Sequence, residues 1–286
     1  MRRVYFLATL AMLASFVSCT KADGPIDNLL GGKIRIIGHA GLGFESMLTP
    51  YPSNSLSSIR KVVEGENADG VEVDVQITKD SALVLLHDQT LESMTNCYGN
   101  VAGFTFAELD RCSYRTDFNS HVLQSEKIIS LENIMARYAG SVFDPWIYLD
   151  IKFPIEEFSE PGMKSRFMRQ VNKLVQQYTY AHHMSAAADN VEMLLYLRQL
   201  NPEIELHLDQ SNFEVALQTA TEHNLTGIVI ANDHISKEQI KKAHEKGIQI
   251  VIFGVALRSD MVDAVNKHPD VIQTDNVNLL QQILSE

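Results

Sequence analysis

Short apolar runs alternate with helix-like segments along most of the chain. Eight of them have the length of strands, namely "IRIIGHAG", "GVEVDVQI", "WIYLDIKF", "MSAAAD", "IELHLD", "TGIVIAN", "IQIVIFGV" and "DVIQTDNV". Several are apolar on both faces, as is typical of parallel strands covered by helices. Eight strand–helix units in about 250 residues predict a TIM (β/α)8 barrel, with a short insertion after strand 2. A doubly wound sheet is the alternative, but the glycine-rich loop expected after its first strand is absent.

Residues 1–18 have the pattern of an export signal. "MRR" is a basic start, and the apolar run "VYFLATLAMLASFV" is too short to cross a bilayer. "FVSC" places Cys19 where a bacterial lipoprotein is cleaved and lipidated, although Phe16 replaces the usual Leu. We expect a barrel domain over 33–286, exported to the periplasm or cell envelope and held at the membrane only by lipid on Cys19. Secretion without a lipid is the alternative.

The charge and the cysteines exclude some classes of protein. The formal net charge is −12 at pH 7, which argues against nucleic-acid binding. Besides Cys19, the chain has Cys97 and Cys112, which are free to form a disulfide after export or to remain thiols. The sequence has no CxxC motif and no Cys/His cluster, so it does not indicate a zinc site. The sequence does not indicate an oligomeric state.

Two carboxylates alternate with valines on the second predicted strand. In "GVEVDVQI", Glu72 and Asp74 lie between Val71, Val73 and Val75. In an isolated strand this alternation is typical of one wet face. In a closed parallel barrel the valines would contact helices, and the carboxylates would point inward near the mouth. Two adjacent buried carboxylates are costly without a cation, and Ca²⁺ or Mg²⁺ prefers such oxygen ligands.

Other polar residues come at the ends of predicted strands. His39 follows the first strand, His87 follows the second, and Asp150 and Lys152 share one face of the third. Taken singly, such residues are usually packed histidines or solvated charges. Their joint position at the carboxyl ends of barrel strands, where TIM barrels carry their active sites, predicts an active site.

These motifs resemble those of the glycerophosphodiester phosphodiesterase family, within the phospholipase-C-like phosphodiesterases. The resemblance covers residues 34–277, and its most specific part is the Glu-x-Asp-x-x-x-Thr-x-Asp block with the later His-Asp pair. The matching segments are "HAG" at 39–41, "PSNS" at 52–55, "EVDVQITKD" at 72–80, His87-Asp88, "LDIK" at 149–152, "FGVA" at 253–256 and Thr274-Asp275.

The resemblance implies a TIM barrel that binds one divalent cation, Ca²⁺ or Mg²⁺, and hydrolyses a small-molecule phosphodiester to glycerol phosphate and an alcohol. Imidazoles suit the proton transfers because their pKa lies near working pH. By resemblance, the catalytic acid and base are His39 and His87, the metal ligands are Glu72, Asp74 and Asp150, and the substrate or phosphate contacts are Lys152, Asn54 and Phe253.

Departures from the family pattern fall on substrate contacts. Ala40 replaces an Arg that would clamp phosphate through two hydrogen bonds. Asp150 and Ser53 replace Glu, Phe253 replaces Trp, and Ala256 replaces Asn. Two alternatives therefore stay open: a lyase that forms a cyclic phosphate, and a catalytically silent barrel that only binds a ligand.

Overall fold

The computed structural model describes residues 25–27, 33–43, 51–115 and 126–286. The predicted signal segment 1–18 and Cys19 lie outside these ranges. The strands in the described part are β1 (Arg35–Gly38), β2 (Gly70–Ile77), β3 (Leu83–Leu85), β4 (Trp146–Ile151), β5 (Met184–Ala188), β6 (Glu205–Asp209), β7 (Gly227–Ala231), β8 (Gln249–Val255) and β9 (Val271–Thr274).

Eight of these strands form a closed parallel barrel. The ring runs β1, β2, β4, β5, β6, β7, β8 and β9, and it closes because β1 pairs with both β9 and β2. The predicted TIM barrel is therefore confirmed. β3 lies outside the ring and pairs antiparallel with the end of β2. The chain thus leaves the barrel after β2 through a hairpin, where the insertion begins.

Helices cover the barrel after most strands. They are α1 (Leu56–Arg60, continued by a π-helical turn over Lys61–Gly65), α2 (Phe106–Leu109), α3 (Leu131–Tyr138), α4 (Met163–Tyr178), α5 (Val191–Leu200), α6 (Phe213–Glu222), α7 (Lys237–His244), α8 (Arg258–Lys267) and α9 (Val277–Ser285). Within the described ranges, none of them has both the length and the apolar character that a membrane span requires.

The sequence predicts that α4 runs to about His182, but it ends at Tyr178. Thr179 adopts a left-handed backbone with φ of 54°, and a separate 3₁₀ turn follows over Ala181–His183. A residue in that conformation stops the helical hydrogen-bond pattern.

The two faces of β2 divide as the alternation predicts. Val71, Val73 and Val75 are fully buried in the layer between sheet and helices. Glu72 and Asp74 alternate with them, so they face the barrel interior, where they are at most 3% exposed. The sheet register sets Asp74 of β2 beside Asp150 of β4. A shift of the β2 register by one residue would have pointed the carboxylates into the layer between sheet and helices.

The insertion between β3 and α3 has its own small core. A disulfide joins Cys97 to Cys112, so the pairing that the sequence left open is present. The buried apolar residues around it include Leu86, Leu91, Val101, Leu109, Tyr114 and Ile128. The covalent link closes a loop of modest length, which lowers the entropy of the unfolded chain.

His207 of β6 is completely buried inside the barrel. Its ring lies 5.9 Å from that of Tyr148, and a side chain at Gly227 would approach its Cδ2 to 2.7 Å. Within the described ranges, neither ring nitrogen has a hydrogen-bond partner of normal geometry. Burial lowers the pKa of His207 to about 4. The folded barrel therefore holds this imidazole neutral.

The stability of the barrel should fall as the pH drops from the ordinary histidine pKa to the lowered pKa of His207. Below the ordinary histidine pKa, the unfolded chain binds a proton at His207 that the folded chain does not bind. The resulting loss of folding free energy grows until the pH reaches the folded pKa. Between about pH 7.5 and about pH 4.5 we expect a loss of roughly 2–3 kcal/mol from this residue. Urea unfolding at the two pH values should show that His207→Leu removes this loss. His182→Leu, at the exposed surface, is the matched control, and an equal pH dependence in all three proteins would contradict the assignment.

Candidate active site

Three carboxylates meet inside the barrel near the carboxyl ends of β2 and β4. Glu72, Asp74 and Asp150 each have an oxygen within 4.8 Å of the other two. Burial raises the pKa of Glu72, and the charge of Asp74 raises it further. Burial also raises the pKa of Asp150, against the lowering effect of Lys152. The site therefore concentrates acidic groups where water solvates them poorly.

Hydrogen bonds from the β1–α1 segment hold two of these carboxylates. The backbone N–H of Ala40 donates to Glu72 Oε2 over 2.7 Å. Asn54 Nδ2 donates to Asp74 Oδ2 over 2.7 Å, and Asn54 Oδ1 accepts from the Asp74 N–H over 2.9 Å. Asn54, which the resemblance predicts to contact substrate, hydrogen-bonds both the side chain and the backbone of Asp74.

The donor set suits a divalent cation. Lys152 Nζ lies 2.6 Å from Asp150 Oδ2 and 3.3 Å from Asp74 Oδ1, so it neutralises part of the charge. Glu72 Oε1 is buried, and no described residue donates a hydrogen bond to it. Hard cations such as Ca²⁺ and Mg²⁺ prefer sets of oxygen ligands. Glu72, Asp74 and Asp150 could therefore hold one such ion.

His39 follows β1 and pairs with a carboxylate that follows β9. Its Nδ1 lies 2.7 Å from Asp275 Oδ1. Burial alone would lower the pKa of His39, but the hydrogen bond to Asp275 and the charges of Glu72, Asp275 and Asp74 raise it to about 9. Gly43, with φ of 77°, leaves room for this pair, because a Cβ there would lie 2.5 Å from that of Asp275.

His87 reaches the site from the start of the insertion. Its Nδ1 lies 2.7 Å from Asp88 Oδ1, and its charge acts on Asp150. His39 in turn acts on Glu72 and Asp74. The two histidines therefore interact with different members of the carboxylate cluster, and each is held by its own carboxylate partner through Nδ1.

The structure brings the predicted residues to one mouth of the barrel. Phe253 of β8 lies beside His39, with 6.4 Å between the ring centroids. Sequence reasoning assigned no role to Asp275 or Asp88, although each belongs to a matched family segment. It also missed Asp209 at the end of β6, whose pKa is raised to about 6 by burial and by the charge of Asp150.

Comparison with known proteins identifies the family. The model of the glycerophosphoryl diester phosphodiesterase family matches residues 46–279, and the chain belongs to this family. A glycerophosphodiester phosphodiesterase of Caldanaerobacter subterraneus subsp. tengcongensis is 24% identical over 230 residues, which are 80% of this chain and 90% of the relative. A glycerophosphodiester phosphodiesterase of Bacillus altitudinis is 26% identical over 234 residues, which are 82% of this chain and 84% of the relative.

Solved structures share the fold. An Oleispira antarctica phosphodiesterase in complex with the product sn-glycerol-3-phosphate superposes with a TM-score of 0.75 at 18% identity, over 88% of this chain and 97% of that one. A glycerophosphodiester phosphodiesterase of Agrobacterium tumefaciens gives 0.69 at 17% identity, over 87% of this chain and 100% of that one. At these identities the likeness establishes the barrel fold.

Asp275→Asn should lower the pKa of His39. The change removes a negative charge from the Nδ1 partner, so we expect the pKa to fall from about 9 by at least about one unit. Proton NMR of the imidazole Cε1–H as a function of pH, in metal-free protein, measures it. Asp88→Asn is the matched control, because it removes the corresponding carboxylate beside His87. An unchanged His39 titration in Asp275→Asn would contradict the pairing.

Proposed function

We propose that the protein is a metal-dependent hydrolase that cleaves glycerophosphodiesters to glycerol phosphate and an alcohol. The observation that carries the proposal is the meeting of three carboxylates, one lysine and two carboxylate-paired histidines at the mouth of a barrel of this family. The Oleispira antarctica phosphodiesterase, which binds sn-glycerol-3-phosphate, supports the product class.

The charges of the site suit an anionic substrate only once a cation is bound. A divalent cation held by Glu72, Asp74 and Asp150 would offset their charge and polarise the phosphoryl oxygens. Lys152 adds a fixed positive charge, because the neighbouring carboxylates outweigh its burial and raise its pKa. That ammonium favours the more negative transition state over the bound substrate.

The two histidines suit opposite proton transfers. His39 has a pKa raised to about 9 and is therefore protonated at neutral pH, which suits donation to the leaving alkoxide. A cation on the carboxylates would draw that pKa back toward neutrality, because it cancels the charges that raise it. His87 is 38% exposed and lies beside Asp88, which suits a base for the attacking water.

Ala40 keeps a cyclising reaction as the second candidate. Its methyl group cannot clamp the phosphate as the family Arg would. A phosphate held only by the cation and Lys152 has more freedom, and a hydroxyl of the substrate could attack phosphorus in place of water. That route would release a cyclic phosphate.

A substrate panel tests the proposal. Glycerophosphocholine, glycerophosphoethanolamine and glycerophosphoglycerol, each with Mg²⁺ or Ca²⁺, should give glycerol phosphate by phosphorus NMR. His39→Ala and His87→Ala should each lower kcat by about 10²- to 10⁴-fold with unchanged melting, because each removes a proton-transfer group. His234→Ala, half exposed outside the site, is the matched control. A cyclic phosphate signal in place of glycerol phosphate would show the lyase reaction instead of hydrolysis. No product from any substrate of the panel would favour a catalytically silent barrel.

Glu72→Gln should weaken cation binding and stabilise the metal-free protein. The amide cannot supply the third negative ligand, so we expect calorimetry to show at least about tenfold weaker Mg²⁺ or Ca²⁺ binding. It also removes a carboxyl group whose ionised form burial disfavours, so the metal-free protein should gain roughly 1 kcal/mol in urea unfolding. Asp233→Asn, at an acid that is 83% exposed, is the matched control. Full turnover in excess EDTA would rule out the metal.

We also propose that the protein acts outside the cytoplasm and is held by lipid at Cys19. The basic and apolar start of the chain and the "FVSC" segment support this. The disulfide between Cys97 and Cys112 supports it as well, because such bonds persist in oxidising compartments.

A further inference from the structure

Gln76 is the third inward-facing residue of β2, after Glu72 and Asp74. It is 2% exposed, and its Nε2 donates to the carbonyl oxygens of Leu86 and Asp88, each over 2.7 Å. A primary amide nitrogen carries two N–H groups, so both are used here. The same nitrogen lies 3.5 Å from the carbonyl oxygen of His87.

These two carbonyls flank His87 on either side. The ladder between β2 and β3 ends at Leu85, and the Leu86 N–H still donates to the Asp74 carbonyl over 3.1 Å. Beyond that point the chain departs from the barrel. The side chain of Gln76 therefore continues the attachment to β2 for the residues on both sides of His87.

A second glutamine attaches the same segment to the chain just after β4. Gln89 Nε2 donates to the carbonyl oxygen of Phe153 over 3.0 Å, and Gln89 Oε1 accepts from the N–H of Ile155 over 3.0 Å. Phe153 follows Lys152 directly. The segment from Leu86 to Gln89 is thus fixed to β2 and to the chain just after β4, and these two strands carry the proposed metal ligands.

We infer that Gln76 is a positioning residue of the reaction, which sets His87 against the carboxylates without contacting the substrate. The inference rests on the proposed function, in which His87 transfers a proton. Proton transfer depends on separations near hydrogen-bond length, and a displacement of about 1 Å can cost on the order of 100-fold in rate. The strand that supplies two metal ligands thereby also places a catalytic base.

A purely structural role makes a different prediction. A buried amide that satisfies two carbonyls stabilises the fold wherever it lies. Its loss would then lower the melting temperature and leave kcat of the folded protein unchanged. A positioning role lowers kcat through His87 and through nothing else.

The test is Gln76→Met, which keeps the length of the side chain and removes both donors. We expect kcat to fall by about 10- to 100-fold, with KM and the calorimetric Mg²⁺ affinity changed by less than about twofold. In a His87→Ala background the same change should cost less than about twofold, because the group it positions is gone. Gln177→Met is the matched control, since Gln177 donates to Glu132 at the exposed surface.

Three results would overturn the inference: wild-type kcat in folded Gln76→Met, equal losses with and without His87, or a parallel loss of Mg²⁺ affinity. If Gln76→Met does not fold, Gln89→Met loosens the same segment and should lower kcat with the same dependence on His87. Imidazole NMR gives a readout without turnover, because the His87 signals should shift in Gln76→Met and those of His39 should not. Inactivity of the wild type on the whole panel would instead refute the proposed function.

Discussion

Mutual repulsion among three clustered carboxylates governs the mouth of the barrel. Oxygens of Glu72, Asp74 and Asp150 lie within 4.8 Å of one another, with Glu72 and Asp74 buried and Asp150 partly buried. Such a group is unstable unless donors or cations meet each oxygen. Lys152, directly after β4, and the amide of Asn54 supply part of this compensation, and a divalent cation would complete it at Glu72 Oε1.

The same charges control the histidine across the barrel. His39 is partly buried, and its loss of solvation by itself would lower the pKa of the imidazole, yet the carboxylates and Asp275 reverse that effect. A cation bound by Glu72 and Asp74 and a proton on His39 therefore draw on the same negative charge. Binding of a cation there would therefore be coupled to the protonation of His39 by electrostatics.

The sequence predicted the barrel, and the strand faces that line its mouth, because both depend on short-range periodicity. Alternation along β2 places Glu72, Asp74 and Gln76 on one face, and the order of strand and helix predicts ring closure. What could not be predicted depends on contacts between distant segments. Asp275 lies 236 residues from His39 in the sequence, and only the closed ring brings the two together. The hydrogen-bond partners of Gln76 depend on the path of the chain after β3. That segment is irregular, so no periodic pattern in the sequence predicts its path.

At position 40 the backbone supports the site, whereas the side chain bears on recognition of the substrate. The backbone of Ala40 donates to Glu72 and accepts from the N–H of Asn54 over 2.8 Å, and it does so in a left-handed conformation with φ of 46°. These bonds do not involve the side chain, so Ala can stand where the family has Arg without disturbing the carboxylates. By the resemblance, the change would remove a phosphate clamp, while the backbone bonds keep the turn that orients the site. Recognition of the phosphate can therefore diverge at this position while the proposed metal ligands and proton-transfer groups stay in place.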